Sequence, residues 1–224
     1  GHSISFFQAH PEVATWRRTK RTGCRTRLSV EHLMASSAIP FIFPAVHLHR
    51  EYFGDGSMRQ LAPISPAIHL GAEKVLIIGV GQVREVLTRQ SSRRYPTLAQ
   101  IAGHALASIF LDSLAVDIER MERINRTLSQ IPQSLREQGD LRLRPVQYLV
   151  ISPSQRLDDL AARHAHALPW AVRTLLRGLG AMNRRGGALT SYLLFEQAYT
   201  CALIDLGYTD TMARRDDVTA FLEL

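Results

Sequence analysis

The sequence predicts an α/β fold with mainly parallel, buried strands and a helix-rich C-terminal part. Three observations carry this prediction. Residues 74–80 (KVLIIGV) and 146–151 (VQYLVI) are short apolar runs without alternation, the pattern of parallel strands covered on both faces. From Leu98 to Leu128, apolar residues recur at steps of three and four, the period of an amphipathic helix. Strand and helix signals alternate along the chain, which implies an α/β fold with parallel strands.

Taken in order, residues 3–8 (SISFFQ) read as a strand, and His10-Pro11 opens an irregular stretch. Residues 17–27 read RRTKRTGCRTR, six basic residues and no acid. Such a block reads as a solvated loop or as a contact for phosphate head groups or a nucleic-acid backbone. Arg17, Arg18, Lys20 and Arg21 are its candidates for contact with an anionic surface. Ser29 is placed to cap a short helix running to Ala38, with His32 where a capping box takes Glu or Gln. Pro40 interrupts that helix, and Pro40 and Pro44 frame the apolar Phe41-Ile42-Phe43. Weak alternation over 46–49 and 51–53 reads as a hairpin. Residues 64–70 read as a short helix, with Ser65 as its cap, Pro66 at its first position and Gly71 at its end.

Residues 84–96 are polar and read as a surface loop that divides the chain in composition. Residues 1–90 form one part and 91–224 a helix-rich continuation with the further strand at 146–151. The 98–128 pattern is read as one long helix with Glu119, Arg120, Glu122 and Arg123 on its wet face, and Pro132 and Gly139 mark a loop. Ser152-Pro153 stops the second apolar strand. Further helices are expected over 157–164, from Pro169 to about Gly178, and over 191–206 with its end at Gly207. Residues 184–187 read as a loop. Residues 214–217 read as exposed charge before a short tail.

At 224 residues the chain can bury a sizeable core. Its 46% apolar and 21% charged fractions are those of an ordinary globular protein. Cys24 and Cys201 are too few for a disulfide framework or a zinc pattern and fit a reducing compartment. No apolar run reaches the ~18 residues of a membrane-spanning helix, and no secretory signal opens the sequence. A cytoplasmic or peripheral membrane location is expected. The net charge is +7, and Lys20 and Lys74 are the sole lysines among 27 basic residues. The arginine excess reads either as favouring anionic partners or as a genomic bias toward arginine codons. His47-x-His49 and His164-x-His166 lack an acid or cysteine at metal spacing, so no metal and no cofactor is expected. Trp16 and Trp170 read as packing or interface residues.

The most informative residue is Asp55, set in Gly54-Asp55-Gly56-Ser57 after the aromatic pair Tyr52-Phe53. Alone, an Asp-Gly pair is most often a turn. Its surroundings add to it: Ala35-Ser36-Ser37-Ala38-Ile39-Pro40, Phe43-Pro44 and Pro63-Ile64-Ser65. Together these segments resemble the second half of a patatin-like phospholipase domain. That family has an A-S-x-A-x-P-x-x-F-P element, a D-G-G/A motif and then N-x-P. Ser57 stands where glycine or alanine is commoner, and Leu61 where the asparagine would be.

The resemblance implies a partial three-layer α/β fold, a lipid acyl hydrolase of phospholipase A or esterase type, and a Ser–Asp dyad without metal or cofactor. Asp55 would be the base, with Gly54, Gly56 and Ser57 forming its loop. A nucleophile activated by an adjacent base, with amides aimed at the developing oxyanion, is the chemistry such a site needs. The family's G-x-S-x-G elbow and D-G-G-G-x-R-G loop are not in these 224 residues. The nearest sequence, Gly1-His2-Ser3-Ile4-Ser5, lacks the closing glycine. The chain is therefore expected to supply only the aspartate and to be inactive alone. Ser36 and Ser37 are expected to bond back to helix carbonyls, and the side chain of Ser57 to point away from Asp55. The expected partners are a lipid or ester substrate and a peripheral membrane surface, with no nucleic acid, and with self-association through open sheet edges. The alternative is a basic module that binds nucleic acid or an anionic membrane without catalysis.

Overall fold

A computed structural model describes residues 2–40, 42–60, 62–81, 96–108, 113–132, 135, 143–181 and 187–223. In chain order the elements are β1 (Ser3–Phe7), β2 (Trp16–Arg18), β3 (Arg21–Arg25), α1 (Val30–Ser36), β4 (Val46–Leu48), β5 (Glu51–Phe53), α2 (Ser65–His69) and β6 (Lys74–Ile78). They continue with α3 (Leu98–Ala107), α4 (Ser113–Ser129), β7 (Gln147–Ile151), α5 (Leu157–His164), α6 (Trp170–Gly178), α7 (Gly187–Ser191), α8 (Gln197–Met212) and α9 (Arg215–Leu222). The fold is mixed α/β, as expected. The chain divides into two compact units, residues 1–75 with 112–147 and residues 76–111 with 148–224. These units cut across the single division near residue 90 drawn from composition.

The first unit holds the Asp55 loop. Its three-stranded sheet has β3 in the centre, parallel to β1 and antiparallel to β2. The basic stretch is thus a hairpin over much of its length rather than a loop. Its turn is made at Lys20, which takes a left-handed φ of 62°. What overrides the charge is Trp16. Its indole lies over Gly23, where a Cβ would come within 2.3 Å of the ring, and stacks on Phe7 at 5.1 Å. A single aromatic seated on a glycine anchors strands whose remaining side chains are largely polar.

Helix α1 starts as read: the Ser29 amide donates to Nδ1 of His32 at 3.2 Å. Strands β4 and β5 pair antiparallel, with His49 at φ 56° in the turn. Helix α2 is capped at Ile64, one residue before the expected Ser65, so Pro66 falls at its second position. Gly71, at φ 99°, takes the left-handed position after it. Polar ties then fix this end of the unit. Arg144 donates to the carbonyls of Ile68 and Ala72, and the Asp117 carboxylate accepts from the Ile64 amide at 2.9 Å. Asn125 clasps Val146 from both sides, donating at 2.8 Å and accepting at 3.0 Å. Ile118, Met121 and Leu128 are the buried residues of α4.

Strands β6 and β7 form a separate pair. Gln147 donates to Glu73 at one end and Gly79 to Ile151 at the other, so the two strands run in the same direction. Their expected burial on both faces is not found. Ile77 is the buried residue of β6, while Leu76 and Val80 are exposed and Ile78 is 74% exposed. Among the described residues the sheets have three, two and two strands, narrower than the parallel sheets whose two faces crossover helices cover.

The second unit is otherwise helical. Leu160, Ala161, Leu168, Leu176, Ala181, Leu194 and Tyr199 form one buried apolar cluster. Glycines permit its closest approaches. A Cβ at Gly187 would lie 2.5 Å from the Asp158 carbonyl oxygen, and one at Gly103 2.8 Å from the Ala188 Cβ. The buried Thr190 hydroxyl donates to the Ala181 carbonyl at 3.2 Å.

Several expected boundaries change. The 98–128 helix is described as α3 and α4, which lie in different units, and residues 109–112 fall outside the described residues. Of the loops expected over 84–96 and 184–187, residues 84–95 and 184–186 fall outside the described residues too, as do Gly139, Phe41 and Leu61, while Gly187 begins helix α7 rather than ending a loop. Helix α8 begins at Gln197 rather than Ser191 and runs through Gly207 to Met212. One glycine costs a helix only about 1 kcal/mol, too little to end it here. The charged 214–217 stretch leads into helix α9, with Asp216 and Asp217 in the first turn, where the helix dipole favours acids. Among the described residues no helix is long and apolar enough to cross a membrane.

Candidate functional site

Two segments named from the sequence meet at Asp55. Strand β5 delivers the chain through Phe53, whose ring packs edge-on against Phe6 of β1 at 5.4 Å. Two residues on, the Asp55 amide donates to the Ala38 carbonyl at 2.9 Å. That bond ties the Asp loop to the Ala35–Pro40 segment that follows α1. Asp55 is half-buried and caps the short 3₁₀ turn Gly56–Met58. Its Oδ1 accepts from the Ser57 amide at 2.8 Å and also from the Ser57 hydroxyl. Among the described residues nothing donates to Oδ2.

The expectation that Ser57 points away is corrected by this geometry. The 3₁₀ turn folds the second residue after the acid back onto its own cap, which is a common use of aspartate beside serine. The bond holds the carboxylate in place. It does not present Ser57 as a nucleophile, since no strand-to-helix elbow lies beneath it. Ser37 bonds back to the Leu33 carbonyl at 2.9 Å, as read, and Ser36 is exposed.

Neither glycine beside Asp55 is demanded by the backbone. Both lie outside the left-handed region. A Cβ at Gly56 would meet nothing within 4 Å, and one at Gly54 only the Ala38 carbonyl at 3.6 Å. The surface over Asp55 is therefore kept low by residue choice rather than by strain.

The remaining candidates are scattered. Arg17, Arg18 and Lys20 are exposed and Arg21 is half-buried on the β2–β3 hairpin. Among the described residues no carboxylate forms an ion pair with any of them. His69, at the end of α2, escaped the sequence reading. Its ring lies 5.4 Å from that of Trp16. Burial first, then the charges of Arg18 and Arg21, push the imidazole below its ordinary range. No local sequence signal joins residue 69 to residues 18 and 21; only the packing of α2 near the β2–β3 hairpin does. Ser152, read from the sequence only as the stop of β7, has a hydroxyl enclosed without a hydrogen-bond partner among the described residues. His164 and His166 stack at 6.4 Å, but among the described residues no three His, Cys, Asp or Glu side chains gather as a metal site. Cys24 and Cys201 are free and exposed. Trp170, read as a packing or interface residue, is 76% exposed and so is not a packing residue within this chain.

Comparisons with models of known families, with curated proteins and with solved structures find no match to this chain.

Proposed function

We propose that Asp55 is the general base of a Ser–Asp dyad in a carboxylic ester hydrolase of the patatin-like type, with a three-layer α/β fold, acting on phospholipid or other lipid esters. The serine comes from sequence outside these 224 residues, and a peripheral membrane surface presents the substrate. The observation that carries this reading is the state of the Asp55 carboxylate. One oxygen is pinned by Ser57 and the other is unengaged among the described residues, on a loop fastened to the Ala38 carbonyl. A general base has to be oriented and still have a lone pair to offer. Oδ1 supplies the orientation and Oδ2 the lone pair. Gly54 and Gly56 let a second backbone approach closely. The sequence resemblance supplies the identity of that second group.

The test joins the chain to the segment carrying its G-x-S-x-G elbow and measures turnover of a short-chain ester. Asp55→Asn lowers kcat by about 10²- to 10⁴-fold, the usual contribution of a positioned base. Full activity in that variant, with the fold intact by circular dichroism, discards the dyad. The 224-residue chain alone gives no turnover.

A further inference from the structure

The β2–β3 hairpin concentrates positive charge on one of its faces. Trp16 pairs with Gly23 and Arg18 with Arg21, and strand side chains alternate. Trp16, Arg18, Arg21 and Gly23 therefore share a face, while Arg17, opposite Thr22, belongs to the other. On the shared face Trp16 lies over Gly23 and brings its ring 5.4 Å from that of His69. Two guanidinium groups directly opposite in an antiparallel pair repel each other. Among the described residues no carboxylate offsets either one. The imidazole beside them is half-buried and feels both charges.

We propose that Arg18, Arg21 and His69 form a binding site for a phosphate monoester, free or carried as a lipid head group. Guanidinium forks match phosphate oxygens two at a time. Two cations held side by side call for a dianion, which a carboxylate or a phosphodiester does not supply. A neutral imidazole still carries one N–H donor for a third oxygen. Trp16, fixed over Gly23, sets the floor beside the site. The site involves neither Asp55 nor a serine, so it stands or falls separately from the proposed hydrolase.

The experiment titrates inorganic phosphate into the protein, by calorimetry and by Trp16 fluorescence in a Trp170→Phe background, which leaves one of the two indoles. Chloride at matched ionic strength is the control. Phosphate binds saturably and chloride does not. Arg18→Gln and Arg21→Gln each raise Kd about tenfold, the scale of one charge-assisted contact, and Arg17→Gln changes it by less than about twofold because an exposed charge off the site adds little. Both site variants melt no lower than the parent, since repulsion is relieved. In parallel, vesicles containing phosphatidic acid are compared with phosphatidylglycerol vesicles of equal surface charge. Preferential binding to phosphatidic acid that Arg18→Gln abolishes assigns the site to a lipid head group. Phosphate binding without vesicle binding assigns it to a soluble phosphomonoester. An equal loss in Arg17→Gln, preference for an RNA oligonucleotide over both probes, or no binding of either probe overturns the proposal.

Discussion

In the helical unit, Leu160, Leu176 and Tyr199 come from three helices and Leu168 and Leu194 from the connections between helices, and they meet in one continuous apolar cluster. The unit that carries Asp55 is organised differently. Among the described residues its buried apolar side chains are Phe7, Ala35, Ala38, Ile39, Leu48, Ala62, Ile64 and Val146, with Ile118, Met121 and Leu128 from α4. Directional contacts complete it: an indole on a glycine, an asparagine clasp on Val146, an aspartate on the Ile64 amide. An apolar cluster shares its stabilisation among many weak contacts, whereas directional contacts place a group at a set angle. A carboxylate acting as the proposed general base needs the second kind of support more than the first.

The largest effect is expected in the cluster. Leu176 is 1% exposed, and Leu176→Ala removes its contacts on every side. The expected loss is about 2–5 kcal/mol, read by urea unfolding followed by far-ultraviolet circular dichroism. A loss well under 1 kcal/mol would mean that the cluster is loosely packed. The difference between the two units would then disappear.

In the Asp55 unit the most sensitive position is a glycine. A Cβ at Gly23 would sit 2.3 Å from the Trp16 indole, so Gly23→Ala has to lift the ring off the sheet. The expected cost is about 1–3 kcal/mol, typical of overpacking. It should come with a red shift of Trp16 emission in a Trp170→Phe background. Loss of stability without any change at Trp16 would place the strain elsewhere.

The same two units explain what could be read from the chain. Helix 157–164 and the strands at 3–8, 74–80 and 146–151 were legible because period and apolar content state them locally. The β2–β3 hairpin was hidden by six basic residues; its signal is Trp16 against Gly23, a cross-strand pairing that neither hydrophobic period nor charge pattern states. The end of α8 was misplaced because Gly207 reads as a stop, while the helix carries on with the Thr209 and Thr211 hydroxyls bonded back to carbonyls one turn earlier. At the candidate site, the turn at Asp55 follows from Gly54-Asp55-Gly56-Ser57 itself, whereas its tie to the Ala38 carbonyl comes from the fold. His69 beside Arg18 and Arg21 depends on the packing of α2 near the sheet, which no spacing announces.

A smaller effect tests that packing. Burial and the two guanidiniums hold His69 below its ordinary range. The unfolded chain therefore takes up a proton, below the usual histidine pKa of about 6.5, that the folded chain resists. Stability is full above that pH and falls as the pH drops below it. Because other histidines titrate nearby, the useful quantity is a difference: the acid-side slope of unfolding free energy between pH 8 and 5, parent against His69→Gln. The variant should show the shallower slope. Equal slopes would mean that His69 is as free in the folded protein as in the unfolded chain.

The smallest effect on stability is expected beside Asp55 itself. Gly56 lies in the 3₁₀ turn without a left-handed φ, and a Cβ there meets nothing within 4 Å. Gly56→Ala should leave stability unchanged or raise it by about 0.4–1 kcal/mol through the loss of unfolded-state freedom. If a serine elbow approaches Asp55 across this glycine, the same methyl group obstructs it. In the protein carrying that elbow, turnover should then fall while the melting temperature holds or rises. A substitution that leaves folding and hydrolysis alike undisturbed would show that the glycine serves no close approach, and the Asp55 loop would be left as an ordinary capped turn.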